Sequence, residues 1–247
     1  MKKTKIFEGI LNISRSQPPT LWKTPFDRNN DFYRIDKKLI TKFGLVSGAR
    51  LKCEIIGNRI EKIISICELE PEKFKNRHKF DKLPASNPTE KFDFSSSAYP
   101  SLRILDMFAP IGKGTRGLIV SPPKAGKTTL LENLANHLVE KNPKLHLIVL
   151  LIDERPEEVT AFKMHTNAEV YHSSMDKGNK SHVILSSLLI NHLRTEVECG
   201  NDVVILLDSL TRISRAFNLN DRNPNSLTLS GGLGSSALEI PRKLFGM

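Results

Sequence analysis

Three short segments of this sequence combine residue types that could hold a polyphosphate and direct water at it. The first is Ser121-Pro-Pro-Lys124-Ala125-Gly126-Lys127-Thr128, which falls between an apolar segment and a helical pattern. Backbone amides of such a loop, together with a helix N-terminus, present positive partial charge to phosphate oxygens. Lys127 would reach the β- and γ-phosphates, and the Thr128 hydroxyl would take a place on Mg2+. The loop departs from GxxxxGK[ST] at its first position, where Ser121 stands for glycine, so a basic turn capping a helix is the competing reading. The second segment, Val203-Val-Ile-Leu-Leu-Asp208, is an apolar strand ending in an acid, the form expected of an aspartate that holds the Mg2+ hydration shell. Taken alone, Asp208 could equally cap a helix. The third, Leu147-Ile-Val-Leu-Leu-Ile-Asp153-Glu154, delivers Glu154 to the carboxyl end of another strand, where open α/β sheets bind their ligands. A carboxylate there could deprotonate water, or could simply pair with Arg155.

These segments need a parallel sheet to converge. After Leu102 the pattern alternates: a strand near 117–120, a helix over 128–140, a strand over 145–152, a helix from Pro156, a helix over 181–199 and a strand over 203–207. Strands alternating with helices imply a parallel sheet with right-handed crossovers. Leu130, Leu131, Leu134, Leu138 and Val139 share one helical face, as packing on a sheet requires. Ahead of this α/β region, short apolar runs at 6–13, 32–35, 51–56 and 60–66 are broken by turns at Gly44–Gly48 and Gly57-Asn58, which predicts a small all-β domain of five-stranded, OB-like form. Between them the chain turns to Lys, Asn, Pro and Ser and loses periodicity, as a linker does. The expected division is therefore 1–70, an OB-like domain; 71–101, a linker; and 102–247, a RecA-like P-loop domain.

Charge divides the same way. Of the net +10, residues 1–100 contribute most, with 20 Lys and Arg against 12 Asp and Glu, whereas residues 101–247 carry 17 against 15. A basic front is suited to a polyanion such as RNA, because neutralising phosphates releases counterions; a merely soluble basic surface is the alternative. No apolar run approaches the roughly 20 residues of a membrane span. Cys53, Cys67 and Cys199 are widely spaced and form no CxxC pair, so buried free thiols in a reducing cytoplasm are expected.

The wording of Asp153-Glu-Arg-Pro-Glu-Glu-Val159, the loop 121–128 and Leu207-Asp-Ser-Leu-Thr-Arg212 closely resembles the bacterial Rho family of ring-shaped, RNA-dependent helicases, with a nearly continuous match over about 102–246. The resemblance implies ATP contacts from Gly112, Lys113, Gly114, Thr115, Arg116 and Gly117, from Lys124, Ala125, Gly126, Lys127, Thr128 and Thr129, and from Arg155. It implies Glu154 as catalytic base, Lys127 and Arg212 as its partners in catalysis, Arg212 sensing the nucleotide, and Thr128 with Asp208 (through water) at Mg2+. Leu229, Ser230, Gly231 and Gly232 are similar to the family's central-channel loop that grips RNA. Tyr33 lies in a stretch, 33–45, similar to the primary RNA site, where Ile10 and Leu11 stand in place of the family's phenylalanines and Trp22, Phe26 and Phe32 could substitute. The sequence stops at Met247, ahead of the family's later strands, second RNA loop and arginine finger. The expectation is an ATP- and Mg2+-dependent helicase of transcription termination that pulls on nascent single-stranded RNA, works as a cytoplasmic homohexamer and meets RNA polymerase. An ATP- and RNA-binding fragment or paralogue without turnover is the alternative, and a different RecA-like motor a further one.

Overall fold

The computed structural model describes residues 4–14, 17–23, 32–57, 59–84, 87–122, 124–220, 228–229, 233–234 and 242. In chain order the elements are β1 (Thr4–Asn12), β2 (Thr20–Lys23), β3 (Phe32–Arg34), α1 (Lys37–Phe43), β4 (Arg50–Ile56), β5 (Arg59–Ile66), α2 (Pro71–Lys75), α3 (Pro100–Phe108), α4 (Lys127–Lys141), β6 (His146–Ile152), α5 (Pro156–His165), β7 (Glu169–Ser173), α6 (Asn179–Glu198), β8 (Val203–Asp208), α7 (Leu210–Asn220), β9 (Thr228–Leu229) and β10 (Leu233–Gly234). They form two compact units, residues 1–83 with 178–203, and residues 84–177 with 204–247.

The first unit is built on a five-stranded antiparallel sheet in the order β3-β2-β1-β4-β5. β1 runs in continuous register with β4, from Thr4 opposite Ile56 to Ile10 opposite Arg50. Register shifts between β4 and β5, at Lys52/Cys53 and Glu54/Ile55, increase the local twist. Phe7, Leu11, Leu21, Leu51, Ile55, Ile63 and Ile66 project to one buried side. The all-β expectation omitted α1, which local chemistry specifies at both ends: the Asp36 carboxylate accepts from Lys38 N–H, and Gly44 closes the helix in the left-handed region.

α6 belongs to this unit and supplies its buried polar groups. His192 Nδ1 lies 2.9 Å from the Gly48 carbonyl. Gly48 has φ +96°, and a Cβ there would meet the Asn191 carbonyl carbon and the His192 nitrogen at 2.4 Å, so only glycine lets the turn and helix approach so closely. Glu196, fully buried, receives Arg50 Nε at 2.9 Å. Residues 70–83, which lack periodicity in the sequence, nevertheless contain α2 and a 3-10 turn over Phe80–Lys82, with Phe74 completely buried. A single large aromatic creates no period, yet it fills a core.

In the second unit, β7, β6 and β8 line up as one sheet in that order. β6 and β7 are parallel, Ile148 opposite Glu169 through Ile152 opposite Ser173. β6 is buried along almost its whole length, whereas β8, at the end of the strand order, is only half-buried until Asp208. α4 covers the sheet with the five apolar residues of its expected face. Phe92 and Phe94, again from the stretch without periodicity, complete this core.

One expected strand is missing. Residues 117–120 adopt no strand, and Leu118 and Val120 are 62% and 82% exposed. β propensity in a run this short is decided by available neighbours, and here residues 111–113 are instead engaged by 90–92: Phe92 N–H donates to the Ile111 carbonyl and Lys113 N–H to that of Glu90.

Candidate active site

The site assembles at the carboxyl ends of β6 and β8 and the N-terminus of α4. Gly126 is the N-cap of α4 with φ +83° and ψ 15°, a conformation that side chains with a Cβ adopt at a cost, and Lys124 before it also has positive φ, 62°. This coil leaves Lys124, Ala125, Gly126, Thr128 and Thr129 exposed to solvent at the amide-rich end of a 15-residue helix. Lys127, the first residue of that helix, folds back to put Nζ 2.8 Å from Oδ1 of Asp208. Thus the loop lysine and the acid ending β8, 81 positions apart in the chain, are in contact.

Glu154 is positioned by backbone. Past the end of β6, Asp153 takes φ 59° and donates its N–H to the Ser173 carbonyl at 2.8 Å, while the Glu154 carbonyl accepts from Met175 N–H at 3.0 Å. Both bonds fasten the turn to the end of β7. The Glu154 side chain meets Arg212, one turn into α7, at 3.1 Å, and the same guanidinium donates to the Asp153 carbonyl. Burial pushes the Glu154 carboxyl up to about 8, helped by a hydrogen bond with Glu158 and opposed by the Arg212 charge. Glu158 did not stand out in the sequence; its spacing of four from Glu154 across a helix start was the signal available.

Other expected contributors lie elsewhere. Gly112 and Lys113 are tied to residues 90–92, and Lys113 Nζ pairs with Glu90 at 2.7 Å. Lys113 shares a cavity of about 280 Å³ with Lys141 and Asn142, at the end of α4 opposite Lys127. At 1.5 Å rise per residue, a helix of that length separates the two ends by about 21 Å. Gly114, Thr115, Arg116 and Gly117 continue that turn on the surface, and Arg155 is exposed at the start of α5. Tyr33 packs edge-on against Phe7, ring centroids 4.6 Å apart, in the first unit. Leu229 falls in β9, paired with β10, while Ser230, Gly231 and Gly232, like Phe26, lie outside the described residues. The three cysteines are free thiols, Cys53 and Cys67 buried and Cys199 half-buried.

A parallel sheet carrying a phosphate-loop helix, with a lysine–aspartate contact beside a buried glutamate, defines the nucleotide-binding core of a P-loop ATPase. Residues 101–219 match the ATP synthase alpha/beta family nucleotide-binding domain. In structure the chain is similar to a prototypical ATPase from the type III secretion system of pathogenic bacteria (TM-score 0.53, 20% identity, 66% of this chain and 46% of that one) and to the ATP synthase subunit NeqB from Nanoarcheaum equitans (0.51, 17%, 72% and 44%). Those likenesses speak for the fold.

Sequence similarity narrows the class to one family. The chain is 45% identical to transcription termination factor Rho of Karelsulcia muelleri over 188 residues, 76% of this chain and 49% of the relative. Against the Rho of Streptobacillus moniliformis it is 38% identical over 246 residues (96% and 58%), and against that of Pseudomonas aeruginosa 44% over 189 (75% and 45%). Over most of its own length the chain thus resembles the Rho proteins. It spans about half the length of the relatives it matches.

Proposed function

We propose that this chain acts as a Rho-type, ATP-dependent RNA motor in transcription termination, coupling ATP hydrolysis to a pull on nascent single-stranded RNA. The observation that carries the reading is the convergence of Lys127, Asp208, Glu154 and Arg212 from four different elements beside the phosphate loop. In this reading Lys127 and the loop amides of 124–129 grip the β- and γ-phosphates. Glu154 accepts the proton of the attacking water, and Arg212 fixes the Glu154 carboxylate while following the state of the γ-phosphate. Asp208, a buried carboxylate whose countercharge is a displaceable ammonium, and the exposed Thr128 hydroxyl suit an oxygen-seeking divalent cation. Mg2+ held there supplies charge neutralisation of the polyphosphate.

The remaining assignments extend from the same reading. Residues 1–70 serve as an OB-like RNA-binding domain, supported by the antiparallel sheet and by the excess of basic residues in the front of the chain. Residues 102–247 serve as the motor, and Arg155, exposed beside Glu154, contacts nucleotide once it is bound; Gly112–Gly117 join it only when the turn at 111–113 leaves residues 90–92. A homohexamer, contact with RNA polymerase and a cytoplasmic setting follow the family; among the described residues no helix is long and apolar enough to cross a membrane. ATP hydrolysis by the purified chain, measured with and without cytosine-rich single-stranded RNA, tests the proposal. RNA-stimulated turnover is expected, and nucleotide binding with no hydrolysis under either condition overturns it in favour of a binding protein.

A further inference from the structure

Two of the three cysteines meet in the first unit although they are 132 positions apart in the chain. Cys67 follows β5 in a tight turn: it and Glu68 have positive φ, 46° and 68°, and the backbones of Ile66 and Leu69 bond each other across it. Its N–H donates to the Arg50 carbonyl, and its Sγ accepts from Arg50 N–H at 3.4 Å, which anchors the thiol. Cys199 is the C-cap of α6 and packs on the same core cluster. Just past it, Asn201 donates to the Cys67 carbonyl at 3.3 Å, so helix end and turn are tied side by side. The two thiols are hydrogen-bonded to each other, and that bond, with burial and the nearby Glu196 carboxylate, holds the Cys67 proton far above the ordinary thiol range. Cys67 is fully buried and Cys199 half-buried, so a small reagent reaches Cys199 first. Cys53 is no partner for Cys67. Cys67 bonds Arg50, and Cys53 lies three positions further along β4, about 10 Å at the rise of a strand, beyond the roughly 7 Å between Cα atoms that a disulfide spans.

We propose that Cys67 and Cys199 form an oxidisable pair, an exchange site for small-molecule disulfides of the glutathione class, whose bridge staples the end of α6 to the turn after β5. Cys199, having given its proton to water, attacks one sulfur of the small disulfide; that S–S bond breaks, and one small thiolate leaves and takes up a proton. The hydrogen bond that held the Cys67 proton is thereby lost. Cys67 gives that proton to water and attacks Cys199 Sγ, expelling the second small thiol. Two protein thiols are oxidised, one small disulfide is reduced to two thiols, and excess thiol reverses the exchange. Sulfurs already in hydrogen-bond contact have only a short way to close to a bond of about 2.05 Å. A bridge between positions so far apart in sequence restricts the unfolded chain strongly.

The test treats the whole chain with oxidised glutathione, blocks remaining thiols with N-ethylmaleimide in denaturant, and maps the proteolytic peptides by mass spectrometry. The expected product is a peptide pair joined through Cys67 and Cys199, with Cys53 carrying the blocking group, and dithiothreitol undoes the joint. Its melting temperature is expected to exceed that of the reduced sample by about 4–16 °C, the shift for a disulfide in a chain of this size. Glutathione retained on Cys199, three blocked thiols, a bridge through Cys53 or a bridge between two copies of the chain overturns the proposal. So does a bridged protein that melts no higher than the reduced one. Cys199→Ser is expected to yield neither bridge nor shift; should it not fold, the peptide map of the parent decides the question alone.

Discussion

The two units solve the problem of burying a sheet in different ways. In the first, neighbouring strands are antiparallel, β1 reaches its partner in long continuous register, and the core closes around Phe7, Leu11, Leu51 and Phe74. In the second, β6 pairs in parallel with β7 and lies between it and β8, β6 is buried along almost its whole length, and β8 and residues 118–120 keep apolar surface in contact with solvent. The first arrangement ends in itself. The second keeps its open features around the strand ends and the loop that carry the chemistry, where ligands of parallel sheets bind. Scaffold and site are thus drawn from different degrees of closure.

The comparison can be broken most sharply in the stretch of the chain that reads as a linker. Phe74→Ala and Phe94→Ala should each cost about 3–5 kcal/mol in urea unfolding, the range for deleting a buried aromatic; a loss within about 0.5 kcal/mol, as at an exposed position, would place these rings outside the two cores. Next comes the open site. Lys127→Ala should weaken nucleotide binding about 10- to 100-fold, since hydrogen bonds to charged groups contribute about 1.5–3 kcal/mol, with far-ultraviolet circular dichroism unchanged. Undiminished affinity would remove the loop from the site.

A smaller effect concerns pH. Glu154 is held above its ordinary value of 4.5, at about 8, so the folded protein favours the neutral acid. The stability this group contributes is full below about pH 4.5 and is lost as pH rises through about 8. Glu154→Gln should therefore raise the melting temperature of the nucleotide-free protein at pH 9, by about 2–4 °C, and change it least at pH 4. The opposite pH order would mean that Arg212 outweighs burial. Smallest of all, Leu118→Ser should shift stability by no more than about 0.5 kcal/mol, because that side chain is exposed. A loss above about 2 kcal/mol would show that residues 117–120 sit in a sheet after all.

Much of this was legible before any coordinates. The acid-tipped runs 147–154 and 203–208 read as strands because continuous apolar residues bounded by acids leave few other options. The five-residue face of α4 followed from its period. What failed to show were elements whose signal is not periodic: α1, specified by an Asp36 cap and a Gly44 stop over only seven residues, and the isolated aromatics Phe74, Phe92 and Phe94. The strand expected at 117–120 failed for the converse reason, since its residues have the right types and the structure gives them no neighbouring strand.

The sequence by itself determined the chemical inventory: a lysine and threonine after a glycine-containing loop, two strands ending in acids, an arginine four residues past the second acid, and a basic front. These are matters of residue type and spacing along one chain, and local physics reads them. Only the tertiary structure decided which of these groups touch. That Lys127 meets Asp208 and Arg212 meets Glu154, while Lys113 turns to Glu90, depends on how strands far apart in sequence align and on which carboxylate lies within a few ångströms of each cation. Coulomb energy falls with distance and grows with burial, and neither quantity exists until the chain has folded.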